Sequence, residues 1–201
     1  MRLEKNKDGT YNVWMNRTEY REIPRNARSW KEEIAIRLMG DCGLRVEETR
    51  HVTKGDVQRY PNGKHHKLRV TGAKDTTGEY DDGQERETWL PRDLETLIHR
   101  YATDEGLNDH ESLIPNAKRT VQLWVEHAAS AAADAAGDDD YEHVSSHDLR
   151  RCWAHHLLVE EGVGVRVVMA LGGWSNYSSI EPYLNAPSEE NIIREMREVE
   201  L

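Results

Sequence analysis

Apolar side chains at Trp30, Ile34 and Leu38 recur every fourth residue, and the run ends at Gly43. That spacing predicts a helix with one buried stripe and a glycine at its C-terminal end. LRVEET, which follows, reads as a tight turn into a short second helix. Upstream, Tyr11, Val13 and Met15 alternate weakly, so residues 1–17 are expected to form an arm or an edge strand. DVQRY, HHKLRVTG and ETWLP carry strand character, and the last two flank the polar stretch DTTGEYDDGQ, which predicts a hairpin with a long tip. From Pro91 to Gly106 the pattern is helical again, with proline near the first position.

KRTVQLWVEHAASAAADAAG predicts a long Ala-rich helix, and DDDYEH a charged loop. SSHDLRRCWAHHLLVEEG has a serine positioned as N-cap and Leu149, Trp153 and Leu157 on one stripe. GVRVVMALGG predicts a short helix closed by paired glycines, and PSEENIIREMREVEL an amphipathic tail helix that begins after Pro187 and Ser188. No repeat and no linker rich in Pro or Ser divides the chain. The expected class is mainly α with a small antiparallel sheet (α+β), the sheet entering after the second helix.

Composition changes that picture only in its surface. The 201 residues suffice for one domain with a sizeable core. The formal charge of −10 argues at first against nucleic acid, which normally meets a basic surface. Yet Arg supplies 19 and Lys only 8 of the 27 basic residues, against 37 acidic ones. That balance suits a halophile's protein, kept soluble at high salt by negative charge. Net charge then says little about partners, and the positions of the arginines become the question. No apolar run reaches the length of a membrane span, and the N-terminus lacks the apolar core of a signal peptide. Cys42 and Cys152 fall within helical patterns and read as buried, reduced thiols, so a cytoplasmic protein is expected.

Candidate chemistry is sparse by spacing alone. His-x-x-Arg occurs at His147–Arg150 and again at His66–Arg69, and about one copy is expected by chance in this composition. Context separates the two. Residues three apart on a strand face opposite ways, so the second copy cannot converge on a ligand. The first copy opens a helix, where His147 and Arg150 share a face and the free N–H groups favour an anion. Arg45 follows a helix-ending glycine, with Glu48 three residues on. Lys74 falls at the end of the first hairpin strand, with Lys64 and Lys67 nearby. The scattered histidines, among them His147 and His155, lack the spacing that converges on a metal, and no nucleotide loop is present.

In order along the chain, GLRVEE, the lysine of VTGAK, SSHDLRR, LGGW and a tyrosine nine residues past Trp174 resemble the catalytic domain of the tyrosine recombinases, the phage integrase family. The likeness covers roughly residues 18–185, leaving 1–17 as an N-terminal arm and 186–201 as the tail. It implies the DNA breaking–rejoining fold and a catalytic set of Arg45, Lys74, His147, Arg150, Trp174 and Tyr183, with Glu48 supporting. Trp174 stands where the family has His or, less often, Trp, and Gly173 counts as a one-residue insertion in the turn.

By the resemblance, Tyr183 attacks a DNA phosphodiester to give a 3′-phosphotyrosine ester, and Arg45 and Arg150 hold the phosphate oxygens. Lys74 protonates the leaving 5′-oxygen, and His147 assists at the phenol or donates to the phosphate. Tyr177 is expected to be an aromatic packing residue. No cofactor and no metal is required. The partners implied are double-stranded DNA, met in part by Arg21, Arg25 and Arg28, and further copies of the chain. Those copies would form a tetrameric synapse through the tail helix, where Ile192, Ile193 and Met196 make an apolar stripe; the stripe serves equally to fold back on its own domain. Rival readings are a catalytically silent DNA-binding module of the same fold, a topoisomerase-like relaxing enzyme and a histidine-based metal hydrolase. The family's usual N-terminal helical clamp domain would not fit in the roughly 17 residues before the match, so either an excised catalytic fragment or a naturally minimal protein is expected.

Overall fold

The computed structural model describes residues 1–71, 85–184 and 197. Strands β1 (Arg2–Lys5) and β2 (Tyr11–Trp14) form an antiparallel hairpin, with Arg2 opposite Trp14 and Lys5 opposite Tyr11. Residues 1–17, expected as an arm or edge strand, therefore contain both strands of a separate two-stranded sheet, fixed to the domain by the buried Val13 and Met15.

Helix α1 (Arg17–Arg25) has no counterpart in the sequence pattern. Only Tyr20 and Ile23 face inward, and Pro24 masks the helical signal. Its start is nevertheless well encoded: the Asn16 side chain accepts from the Thr18 and Glu19 amides, and Glu19 accepts from the Asn16 amide. Helix α2 (Trp30–Gly40) is the centre of the domain. The predicted stripe understates it, because Ala35, Ile36 and Met39 are buried along with Ile34 and Leu38. At its end Gly40 lies under the Tyr20 ring, where a side chain would collide.

Helix α3 (Val46–Thr49) leads to a three-stranded antiparallel sheet of β3 (Val57–Arg59), β4 (His66–Val70) and β5 (Arg86–Leu90), in that order. His66, Leu68 and Val70 face the core while Arg69 is exposed, as the alternation requires. Helices α4 (Arg92–Asp104) and α5 (Lys118–Ala136) follow, the latter ended by Gly137 in the left-handed conformation. The expected charged loop winds into a 3₁₀ turn, Asp139–His143, because Tyr141 is buried there and donates to the Glu19 carbonyl at 2.9 Å.

Helix α6 (Ser146–His155) continues as one π-type turn, His156–Glu160, before α7 (Val165–Gly172) and two 3₁₀ turns, Tyr177–Ser179 and Glu181–Tyr183. Two apolar clusters result. The larger wraps α2 with side chains from the hairpin, the sheet and α4–α6. The smaller joins Trp153, Ala154, Val168, Trp174, Ile180 and Tyr183. Cys42 and Cys152 are free and buried, and burial pushes the Cys152 thiol up to about 12. Among the described residues no helix is long and apolar enough to cross a membrane.

Candidate active site

Arg45 caps α3 directly after the turn that ends α2. That turn needs Gly43, whose φ is +72° and whose missing Cβ leaves room for the Trp153 ring. The Arg45 amide donates to Glu48 Oε2 at 2.7 Å and its Nη1 to Oε1 at 3.0 Å. Half of the Arg45 side chain remains exposed, so its guanidinium can meet a ligand. Glu48 is buried and also takes a bidentate grip from Arg86 of β5, at 2.7 and 2.8 Å. Burial alone would raise the Glu48 carboxyl; the hydrogen bonds and charge of Arg86, with those of Arg45, bring it down to about 2.

The α6 N-terminus is set by Ser145, whose amide and hydroxyl both donate to Asp148 Oδ2, at 2.9 and 2.6 Å. Asp148 Oδ1 accepts in turn from the Val13 amide at 3.0 Å, so the N-terminal hairpin steadies the same turn. His147 stands in that turn, and Arg150 follows one turn on. Arg150 is 3% exposed. It donates to the Gly43 carbonyl and, at 2.6 Å, to the Gly172 carbonyl, while the Trp174 ring covers its guanidinium at 4.2 Å. Burial, then the nearby Arg45, push the Arg150 guanidinium down to about 9, against the pull of Glu48. A bound anion would relieve both effects.

Paired glycines end α7 for separate reasons. Gly172 lies against the Trp174 ring; Gly173 has φ of +69° and the Arg86 side chain beside it. Arg86 Nε also donates to the Leu171 carbonyl at 2.9 Å, tying the sheet to this turn. Trp174 packs between Trp153 (6.0 Å between rings) and Tyr183 (5.3 Å). Tyr183 is 7% exposed, and its hydroxyl is 3.4 Å from His147 Nε2. Partial desolvation, then Arg151 and the other nearby arginines, lower the His147 pKa, which favours a neutral imidazole able to accept the phenol's proton. Tyr177 is 56% exposed and packs on no ring among the described residues, contrary to the packing role expected of it. Its 3₁₀ turn is held instead by Asn176, which accepts from the Ser179 amide.

Arg45, His147 and Arg150 border one cleft of about 300 Å³, together with Ser146, Lys118 and Gln122. Arg45, Glu48, His147, Arg150, Trp174 and Tyr183 thus meet in one place. Lys74 and the tail residues Ile192, Ile193 and Met196 lie outside the described residues. Lys67 is turned to the outer face of the sheet and paired with Glu87 at 2.5 Å, and Lys64 is exposed in the β3–β4 turn. Arg21 and Arg25 line a different cleft, with Arg17, Arg37, Asp41 and Asp93, and Arg28 reaches His127 Nδ1 at 3.4 Å. These three arginines do not share the Arg45 cleft.

Arg86, Lys118 and Gln122 went unread in the sequence. Arg86 is one more arginine at the end of a polar stretch, and its partners lie 38 and 85 residues away. Lys118 had a usable local signal: it opens a long helix whose N-cap, Ala117, provides no side-chain hydrogen bond. Such an uncapped N-terminus leaves amides for an anion.

The model of the phage integrase family matches residues 14–190. The chain belongs to the phage integrase family. No curated protein matches the sequence significantly. Among solved structures, the fold resembles XerA recombinase at 16% identity and a TM-score of 0.71, over 94% of this chain and 66% of that one. The Tn1549 transposon integrase, solved in complex with transposon right end DNA, gives 13% identity and a TM-score of 0.71 over the same shares. XerH site-specific recombinase, bound to palindromic difH substrate in a post-cleavage complex, gives 16% and 0.68, over 96% of this chain and 55% of that one. The chain therefore spans less than two thirds of the length of these relatives. The mainly helical fold with small antiparallel sheets, expected from the sequence pattern, is the one this integrase-family chain adopts.

Proposed function

We propose that the chain is a site-specific DNA recombinase that cuts and rejoins strands through a 3′-phosphotyrosine intermediate at Tyr183. The observation that carries this reading is the Tyr183 hydroxyl 3.4 Å from His147 Nε2, beside a cleft bordered by Arg45 and Arg150. The phenolic oxygen forms a bond to phosphorus while the bond to the 5′-oxygen breaks. His147 takes the phenol's proton, and the departing 5′-oxygen acquires one from Lys74, the hairpin lysine. Arg45 and Arg150 hold the non-bridging oxygens as negative charge builds. Trp174 keeps Arg150 and Tyr183 in register by packing on both. The ester conserves the energy of the broken bond, so a second 5′-hydroxyl reverses the step without a nucleotide cofactor.

Double-stranded DNA is the partner this chemistry demands, and the Tn1549 and XerH structures named above contain DNA. Lys118 and Gln122 extend the cleft as further DNA contacts, and Arg21, Arg25 and Arg28 belong to a flanking face outside it. Four copies would assemble on DNA, through residues 186–201 if the apolar stripe expected there docks on a neighbouring copy instead of on its own domain. The test is a nicked suicide duplex that traps the covalent adduct. Wild type should give a protein–DNA adduct that Tyr183→Phe abolishes and Tyr177→Phe leaves intact. An adduct that survives Tyr183→Phe, or that disappears with EDTA, rejects the assignment.

A further inference from the structure

We propose that Arg86 is a positioning residue for DNA cleavage: from outside the cleft its guanidinium sets the orientation of both phosphate-holding arginines, Arg45 through Glu48 and Arg150 through the turn at residues 171–174. This rests on the strand-transfer reading above and deepens it by naming what holds those arginines in place.

Arg86 opens β5 with its side chain 7% exposed, and it does not border the cleft of Arg45 and Arg150. Each of its two Nη groups serves one Glu48 oxygen, Nη1 reaching Oε1 at 2.7 Å and Nη2 reaching Oε2 at 2.8 Å. The second hydrogen bond on each oxygen comes from Arg45, whose amide donates to Oε2 and whose Nη1 donates to Oε1. A carboxylate offers about four acceptor sites, so Glu48 is fully used. Arg150 Nη1 adds its charge 3.9 Å from Oε2. Arg45 caps α3 and Glu48 lies within it, so by themselves the two would be free to turn together. Arg86 reaches Glu48 from a strand 38 residues further on and fixes the carboxylate plane from outside that helix. With the plane fixed, the half-exposed Arg45 guanidinium has one favoured direction.

The remaining donor acts on the other arginine. Arg86 Nε donates to the Leu171 carbonyl at 2.9 Å, and the next carbonyl, that of Gly172, accepts from Arg150 Nη2 at 2.6 Å. A Cβ at Gly173 would stand 2.9 Å from Arg86 Cδ, so the glycine lets the turn close on this side chain. Trp174 follows and covers the Arg150 guanidinium at 4.2 Å. One buried fork therefore serves as the common reference for both groups that hold the phosphate. Stability alone does not account for it, because a buried ion pair is often no more stabilising than apolar residues of similar volume. What a planar fork adds is direction. A remote change that misplaces reacting groups by about 1 Å costs about a hundredfold in rate, which is the scale expected when that reference is lost.

The experiment follows single-turnover adduct formation by the full chain on the suicide duplex, across protein concentration. Arg86→Met should slow the saturated rate by about a hundredfold and change the half-saturating concentration by less than about threefold. Arg86→Lys, which keeps a charge beside Glu48 but no fork, should recover about tenfold of that loss. With Arg45 already replaced by alanine, Arg86→Met should cost less than about tenfold further, because one of its two routes is gone. In the free protein, Arg86→Met should also speed hydrogen exchange at the Arg45 amide and at residues 171–174 while leaving α2 unchanged. A wild-type saturated rate in either variant overturns the proposal. So does a loss confined to the half-saturating concentration, or an undiminished loss in the Arg45→Ala background, which would mark a merely structural role. Should Arg86→Met not fold, Arg86→Lys decides by the same rate and exchange measurements. Unchanged exchange at both places overturns the proposal as well, and it needs no DNA, so that failure and the failure of Tyr183 as nucleophile are separately visible.

Discussion

The two apolar clusters are built differently. Around α2 the packing is aliphatic and enclosed: Ile34, Ile36, Leu38 and Met39 are fully buried, and helices, hairpin and sheet surround them. The cluster that carries Tyr183 is smaller and aromatic, with Trp153 and Trp174 at its centre. Partly buried side chains such as Leu157, Val163 and Met169 form its margin. It rests on a π-type turn and short 3₁₀ turns, elements with few internal hydrogen bonds. Two arginines close the seam. Arg150 binds a carbonyl on each side, at Gly43 and Gly172, and Arg86 joins Glu48 to Leu171. The difference teaches that Arg45 and Glu48 adjoin the enclosed aliphatic packing, whereas Tyr183, the proposed nucleophile, sits on short turns in a smaller cluster, the kind of segment expected to open locally before the domain unfolds.

The largest effect should come from cutting that seam. Arg150→Ala removes both carbonyl ties and one of the proposed phosphate contacts, and adduct formation in the suicide-duplex assay should fall by at least about a thousandfold. Arg150→Lys should restore little, since an ammonium cannot bridge two carbonyls and an anion as a planar fork does. Glu48→Gln tests the enclosed side. The folded Glu48 pKa near 2 lies below its usual 4.5, so its stabilisation is fully present above pH 4.5 and is lost as pH falls toward 2. About 3 kcal/mol is expected at pH 7, read by chemical denaturation of wild type and variant, with the difference vanishing at the acid end.

A paired comparison addresses the clusters themselves. Leu38→Ala should lower global stability by about 2–5 kcal/mol. Ile180→Ala should shift global stability less, yet raise hydrogen exchange through residues 174–183 and slow adduct formation. Equal global losses would mean that the two clusters unfold as one. The smallest effect concerns His147. Its pKa is lowered, so the neutral base persists below pH 6.5 and is lost only as pH falls through a midpoint under that value. Cleavage should be flat from pH 7 to 8 and decline below about pH 6.5, and His147→Gln should be slower with that acid limb removed.

The local pieces of both regions were legible. The N-cap at Ser145, the helical face shared by His147 and Arg150, and the nine-residue step from Trp174 to Tyr183 are short-range relations that a linear pattern records. Helix α1 was not legible, because its apolar content is two inward residues and a proline. Tyr177 was misjudged for a similar reason: an aromatic side chain announces apolar area, not the direction in which a turn points it.

By itself the sequence determined most of the order of elements, with α1 and the 3₁₀ turn at Asp139–His143 as exceptions, many helix ends and the residue types available for phosphate chemistry, since capping, periodicity and glycine conformation act within a few residues. Only the tertiary structure decided that Arg86 grips Glu48, that Lys118 borders the cleft, and that Arg150 donates two N–H groups to carbonyls while burial, then the nearby Arg45, lower its pKa. Each of those depends on charges and carbonyls brought together from distant parts of the chain, and burial then amplifies their interaction far beyond its strength in water.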